Sequence, residues 1–92
     1  MNPVHQSYEK LKQLLLNNPQ WPRMYMFKFV VPNKNGNVER VVSLLPPEGK
    51  ISYKHTENLK YVSVTCIHTM ASADHIIEIT KNVTEIKGVM AL

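Results

Sequence analysis

Cysteine is almost missing from this 92-residue chain: Cys66 stands alone, so no internal disulfide can form, and a lone thiol suits a reducing compartment. Long apolar runs are missing too, and nothing comes near the roughly 20 residues that would cross a bilayer. The opening MNPVHQSYEKLKQ has neither the basic start nor the apolar stretch of a secretory leader. These absences together make the expected location cytoplasmic. Glycine is scarce, at positions 36, 49 and 88 only, which excludes a glycine-rich phosphate loop. There is no internal repeat and no low-complexity segment.

Metal-ligating residues are few. Cys66 and His68 share a strand face and His75 follows, while His5 and His55 lie far off in sequence. Zinc takes three or four ligands, in structural sites at tighter paired spacings. A packed cysteine and surface histidines fit better, and neither metal nor cofactor is expected. A cysteine nucleophile would need a base and an orienting group beside it. Cys66 instead alternates with Val62 and Val64 and points to the core, so no catalytic residue is assigned and the chain is read as no enzyme.

What is present describes a small globule. A content of 43% hydrophobic and 20% charged residues is that of a folded chain, not a disordered one. A domain of this size buries only about 60% of the surface its unfolded chain exposes, so the core is thin and a homodimer is expected. The net charge of +4 is spread from Lys10 to Lys87 without a cluster and reads as a solvated surface.

The chain divides into residues 1–21, an N-terminal helical extension and linker, and residues 22–92, the domain proper. Asn2-Pro3 reads as a cap followed by a proline at the first helical position. Tyr8, Leu11, Leu14 and Leu15 recur at helical spacing, and Asn17-Asn18-Pro19 ends the helix. Trp21, between prolines, is placed to dock its indole on the domain. Met24–Val31 is a strand, with Tyr25, Phe27, Phe29 and Val31 on one face and Met24, Met26, Lys28 and Val30 on the other. Pro32–Gly36 is a turn. Asn37 caps a helix whose buried stripe is Val38, Val41, Val42 and Leu45, stopped by Pro46-Pro47. A weaker strand over Lys50–Thr56 sets Ile51, Tyr53 and His55 against Ser52, Lys54 and Thr56. Tyr61–Thr69 is the clearest strand. Ser72 caps a last helix with Asp74 in its first turn and Ile76, Ile79, Val83 and Ile86 on its buried side. Gly88 ends that segment, and Val89–Leu92 is a short final strand.

This order predicts an α+β fold, the ferredoxin-like βαββαβ sandwich: a four-stranded antiparallel sheet of order 4-1-3-2, two helices on one face, and an added N-terminal helix. The other sheet face is left open as a binding or dimer surface. It offers Tyr61 with Lys28, Ser52, Lys54, Ser63, Thr65 and Ile67.

The stretch Lys60-Tyr61-Val62-Ser63-Val64-Thr65 resembles the K/N-Y-x-S-V-S/T strand of the YbeD-like family of small uncharacterised bacterial proteins. The ending Gly88-Val89-Met90-Ala91-Leu92 is similar to that family's G-V-x-M-V-L terminus, and Pro22 through Lys28 looks like its P-x-x-F/Y-x-x-K start. The resemblance covers residues 22–92. Leu59 departs from it, since the family usually has glycine just before its lysine and tyrosine; the departure concerns the hairpin loop. The resemblance implies a fold similar to the ACT regulatory domains of amino-acid metabolism, and no established activity. ACT domains bind small ligands, often amino acids, where the first strand meets the first helix, commonly at a subunit boundary. The matching segment is Pro32–Val38, which makes Asn33, Lys34, Asn35, Gly36 and Asn37 the candidate ligand-binding residues. Gly36 would let a ligand approach the backbone, and the free N–H groups at the helix start could hold an anion.

The leading functional expectation is a non-enzymatic regulatory or ligand-sensing module. Its expected partners are a second copy, a small carboxylate or amino acid, and a protein. Two alternatives stand beside it. One is a single-stranded nucleic-acid binder using the open face, weakened by one aromatic, two lysines and no RNA-recognition signature. The other is a protein–protein adaptor that uses Tyr8, Leu11 and Leu15.

Overall fold

The computed structural model describes residues 3–17 and 20–92, with side chains from Tyr8 onward. The expected cap Asn2, the Asn18-Pro19 stop and the His5 side chain lie outside the described residues. Three helices and four strands follow in the order α1 (Pro3–Leu16), β1 (Arg23–Pro32), α2 (Asn37–Leu44), β2 (Lys50–His55), β3 (Tyr61–Met70), α3 (Ala73–Thr84) and β4 (Met90–Ala91). The sheet is antiparallel throughout, in the order β2-β3-β1-β4, which counted from the opposite edge is 4-1-3-2. The arrangement is α+β and compatible with the ferredoxin-like order.

β1 and β3 are the centre of the molecule, paired over ten residues each. Their register sets Phe27 against Cys66, Phe29 against Val64 and Val31 against Val62. All six side chains are buried under the helices. Tyr25 meets Phe27 edge to face at 4.8 Å between ring centres. Each such aromatic contributes about 1.5–3 kcal/mol by leaving water. α2 adds Val41 and Leu45 as buried residues, with Val38 and Val42 half-covered.

Helix α3 is buried on two sides. Ile76, Ile79 and Val83 face the sheet side as their spacing predicts, while Ile77 is buried as well. The second side exists because α1 packs on α3. The Tyr8 hydroxyl lies 2.6 Å from Thr84 Oγ1, the Lys81 ammonium sits 5.3 Å above the Tyr8 ring, and Lys12 pairs with Asp74 at 3.4 Å. Leu15 reaches the core and Leu11 packs against it. The stripe expected of an adaptor helix is therefore turned inward. Leu14, expected on that stripe, is 69% exposed. Trp21 packs against the core, with the Arg23 guanidinium 5.5 Å from its ring.

Two further local readings are corrected. Asn37 is the first residue of α2 and not its cap; that position belongs to Gly36, in the left-handed region at φ 70°. The Asn37 amide instead donates to the Pro32 carbonyl at 3.2 Å, tying the helix start to the end of β1. β2 is an edge strand without a buried face. Ile51, Tyr53 and His55 stand opposite Cys66, Val64 and Val62, on the helix side, but only Ile51 is half-covered. The helices lie over β1, β3 and β4 and do not extend over that edge. The N-cap of α3 follows expectation, with Ser72 accepting from the His75 N–H at 3.2 Å, but the helix ends at Thr84 with Glu85 as its C-cap, before Ile86 and the expected terminal glycine Gly88.

Candidate functional site

Antiparallel pairing brings three chain segments to one end of the sheet: the β1–α2 loop, the β2–β3 hairpin and the α3–β4 turn. Between them lies an open cleft of about 790 Å³, lined by Pro32, Asn33, Lys34, Asn35, Asn37, Arg40, Leu59, Lys60, Tyr61, Ile86, Lys87 and Gly88. Lys34, Arg40, Lys60 and Lys87 are its charged groups, and no carboxylate lines it. Among the described residues the one salt bridge is the distant Lys12–Asp74 pair, so these four cations have no acidic partner.

Two hydrogen bonds join the walls. The Asn33 backbone N–H donates to the Lys60 carbonyl, and its side-chain amide donates to the Leu59 carbonyl, both at 2.9 Å. The hairpin is tight because Leu59 N–H returns to the Thr56 carbonyl while Leu59 takes φ 59°, the left-handed residue of the four-residue loop between Thr56 and Tyr61. Leu59 thus holds the backbone shape a glycine would take most easily. Asn58 Oδ1 accepts from Thr56 Oγ1 and from the Lys60 N–H, stiffening the loop. On the third wall Gly88 is at φ 87°, and a Cβ there would lie 2.8 Å from Pro32 Cγ.

Of the five residues expected to bind a ligand, Asn33, Lys34, Asn35 and Asn37 line this cleft. Asn33 and Asn37 each use an amide donor internally, so their first role is to shape the walls. Gly36 lines only a smaller neighbouring recess of about 270 Å³, and a Cβ on it would meet nothing closer than Glu39 Oε2 at 3.7 Å. Sequence reasoning missed Arg40, Lys60 and Lys87. The strand order contained the signal: antiparallel pairing returns the loops before β3 and β4 to the end of β1.

Chemically the cleft can attract and hold an anion through Coulomb attraction and hydrogen bonds. Among the described residues it contains no thiol, hydroxyl nucleophile or imidazole apart from the Tyr61 phenol. Cys66 is buried, and burial raises its pKa and keeps the thiol protonated. His68 and His75 line a separate recess at the other end of the sheet, of about 430 Å³. Among the described residues no three His, Cys, Asp or Glu side chains come together to hold a metal ion, and no helix is long and apolar enough to cross a membrane.

The open sheet face carries the second group of expected residues. Lys28, Thr65 and Ser52 form one row across β1, β3 and β2; Val30, Ser63 and Lys54 form the next. The Ser63 hydroxyl is covered and has no hydrogen-bond partner among the described residues. Tyr61 stands at the cleft end of this face, opposite Pro32. The face also contains Met24, Met26 and Met90, 70%, 57% and 56% exposed, and Lys50 opposite Ile67.

A family model described as "Protein of unknown function (DUF493)" matches residues 17–92. The chain belongs to the DUF493 family. The match takes in the whole sheet, α2 and α3, and begins where α1 ends. Comparison with curated proteins and with solved structures finds no match.

Proposed function

We propose that this chain is a small non-enzymatic ligand-sensing module, ACT-like in its use of the first strand–helix turn, that takes a small carboxylate or amino acid in the basic cleft. The observation that carries this reading is the convergence of Lys34, Arg40, Lys60 and Lys87 on a cavity without a carboxylate. Its volume falls within the range of about 300–1,000 Å³ of small-molecule sites. Self-association belongs to the same reading. β4 pairs with β1 only at Phe29 and Val30, so the Arg23–Phe27 edge has no strand neighbour on that side among the described residues. A second copy would add there, as free edges accept strands.

Calorimetric titration with citrate, glutamate and inorganic phosphate tests the ligand claim. At least one should bind to the parent chain, and binding should vanish in Arg40→Ala/Lys87→Ala, whose side chains are exposed and cost the fold little. Binding that survives this double substitution would place the ligand elsewhere. A light-scattering mass of one chain at tens of micromolar would remove the dimer. Nucleic-acid binding is the weaker alternative, because Tyr61 is the single aromatic on the open face of the described strands.

A further inference from the structure

The open face of the sheet differs in composition from the rest of the molecule. All seven Asp and Glu residues fall in helices or loops, and the four strands carry Arg23, Lys28, Lys50 and Lys54 with no acid. Three of those cations, Lys28, Lys50 and Lys54, are on the open side of the register. Along β1 the same face carries Met24, Met26 and Val30, interrupted by Lys28 and widened by Ile67 on β3 and Met90 on β4. Met26 faces Ile67, which faces Lys50; Met90 faces Val30, which faces Ser63 and then Lys54. These two rows run from apolar at β1 to cationic at β2, over two strand spacings of about 4.8 Å each, and the row between them carries Lys28 on β1, Thr65 on β3 and Ser52 on β2.

From this we infer that the open face docks an amphipathic helix whose apolar side is flanked by acidic residues. The dimensions suit it. Met24 to Val30 spans about 20 Å of strand, the length of about 13 helical residues, and a helix about 10 Å across reaches from the β1 stripe to the β2 lysines. Exposed methionines adapt to varied apolar side chains and mark surfaces that accept helices. Charge complementarity selects this occupant. A second copy stacked face to face would bring lysine-bearing faces together without an acid on either. A nucleic acid would meet the lysines but find methionines where stacking aromatics are needed. This surface is separate from the basic cleft, so the inference stands whatever the cleft binds.

The test uses the full chain and a fluorescein-labelled 16-residue helix-forming peptide with a leucine stripe flanked by glutamates. Three controls are its lysine-for-glutamate counterpart, a scrambled form of the same composition, and a 12-nucleotide single-stranded RNA. The acidic peptide should bind at least tenfold more tightly than either peptide control and lose affinity as salt rises. Lys50→Glu/Lys54→Glu and Met24→Ser/Met26→Ser should each weaken it at least tenfold with an unchanged circular dichroism spectrum. Amide shifts should map to β1, β2 and β3, not to Lys34 and Lys87. Equal binding of the scrambled peptide, no binding of the acidic one, or shifts confined to the cleft would overturn the proposal. So would RNA binding lost in the lysine variant, which would assign the face to nucleic acid. Concentration-dependent shifts at Thr65 and Ile67 in the peptide-free chain would assign it to a second copy.

Discussion

The two faces of β1 alternate along one ten-residue strand and share every backbone hydrogen bond, yet they meet different surroundings. Phe27, Phe29 and Val31 are closed off under the helices, while Met24, Met26 and Lys28 stand in the open. Local conformation is common to both, so the difference comes from what is layered over them. The inner face is a core whose side chains determine stability. The outer face is half apolar and half cationic, contributes little to stability, and is free to meet a partner.

The largest test of that contrast is Phe27→Ala against Met26→Ala, neighbours in sequence. The first should cost about 3–5 kcal/mol in urea unfolding, and the second should stay within about 0.5 kcal/mol as a surface change does. Equal costs would mean that the outer face is itself covered in solution.

The inner face should also resist added volume. A Cβ on Gly49 would run into Cys66 Sγ and lie 3.1 Å from the Pro46 carbonyl oxygen. Gly49→Ala should therefore cost about 1–3 kcal/mol. Much of that penalty should disappear when the alanine is introduced into a Cys66→Ala background, because the clash partner is gone. An undiminished penalty in the double variant would locate the strain at Pro46 instead.

The same face predicts an alkaline weakness. Burial raises the pKa of Cys66, and burial, partly offset by Arg23, raises that of Tyr25. In each case the unfolded chain releases its proton first, so above about pH 8.5 for the thiol and about pH 10 for the phenol the native state holds more protons. Stability should fall as pH rises through those values, and Cys66→Ala should flatten the earlier part of the decline. A urea midpoint unchanged from pH 7 to 10 would contradict this.

The smallest effect is expected at Leu59. A left-handed non-glycine residue costs about 1–2 kcal/mol, and glycine returns about 0.5–1 kcal/mol of that through its freer unfolded state. Leu59→Gly should thus gain about 1 kcal/mol or less and raise the thermal midpoint by up to about 8 °C. A lower midpoint would show that the exposed leucine makes a contact worth more than the strain.

Much of this architecture was legible in the residue pattern. Period-two alternation placed the inner face of β1 and β3 correctly, since each side chain's side is determined by its neighbours along the strand. Pro46-Pro47, Ser72 and Asp74 marked helix ends because capping and breaking act within one turn. The candidate site was legible only at Asn33, Lys34, Asn35 and Asn37, which are contiguous. Arg40, Lys60 and Lys87 lie too far apart in sequence for any local pattern to join them.

The sequence by itself determined where the strands and helices fall and which side of β1 and β3 is apolar, consequences of backbone stereochemistry over a few residues. Tertiary structure alone decided four things: that Leu11 and Leu15 are spent on the core, that Asn37 is a tie and not a cap, that four scattered cations share one cleft, and that Lys50 joins Lys28 and Lys54 on one acid-free face. These depend on strand register and helix docking, which place residues tens of positions apart side by side, and a chain with its charges spread evenly along it can still fold with them gathered on one surface.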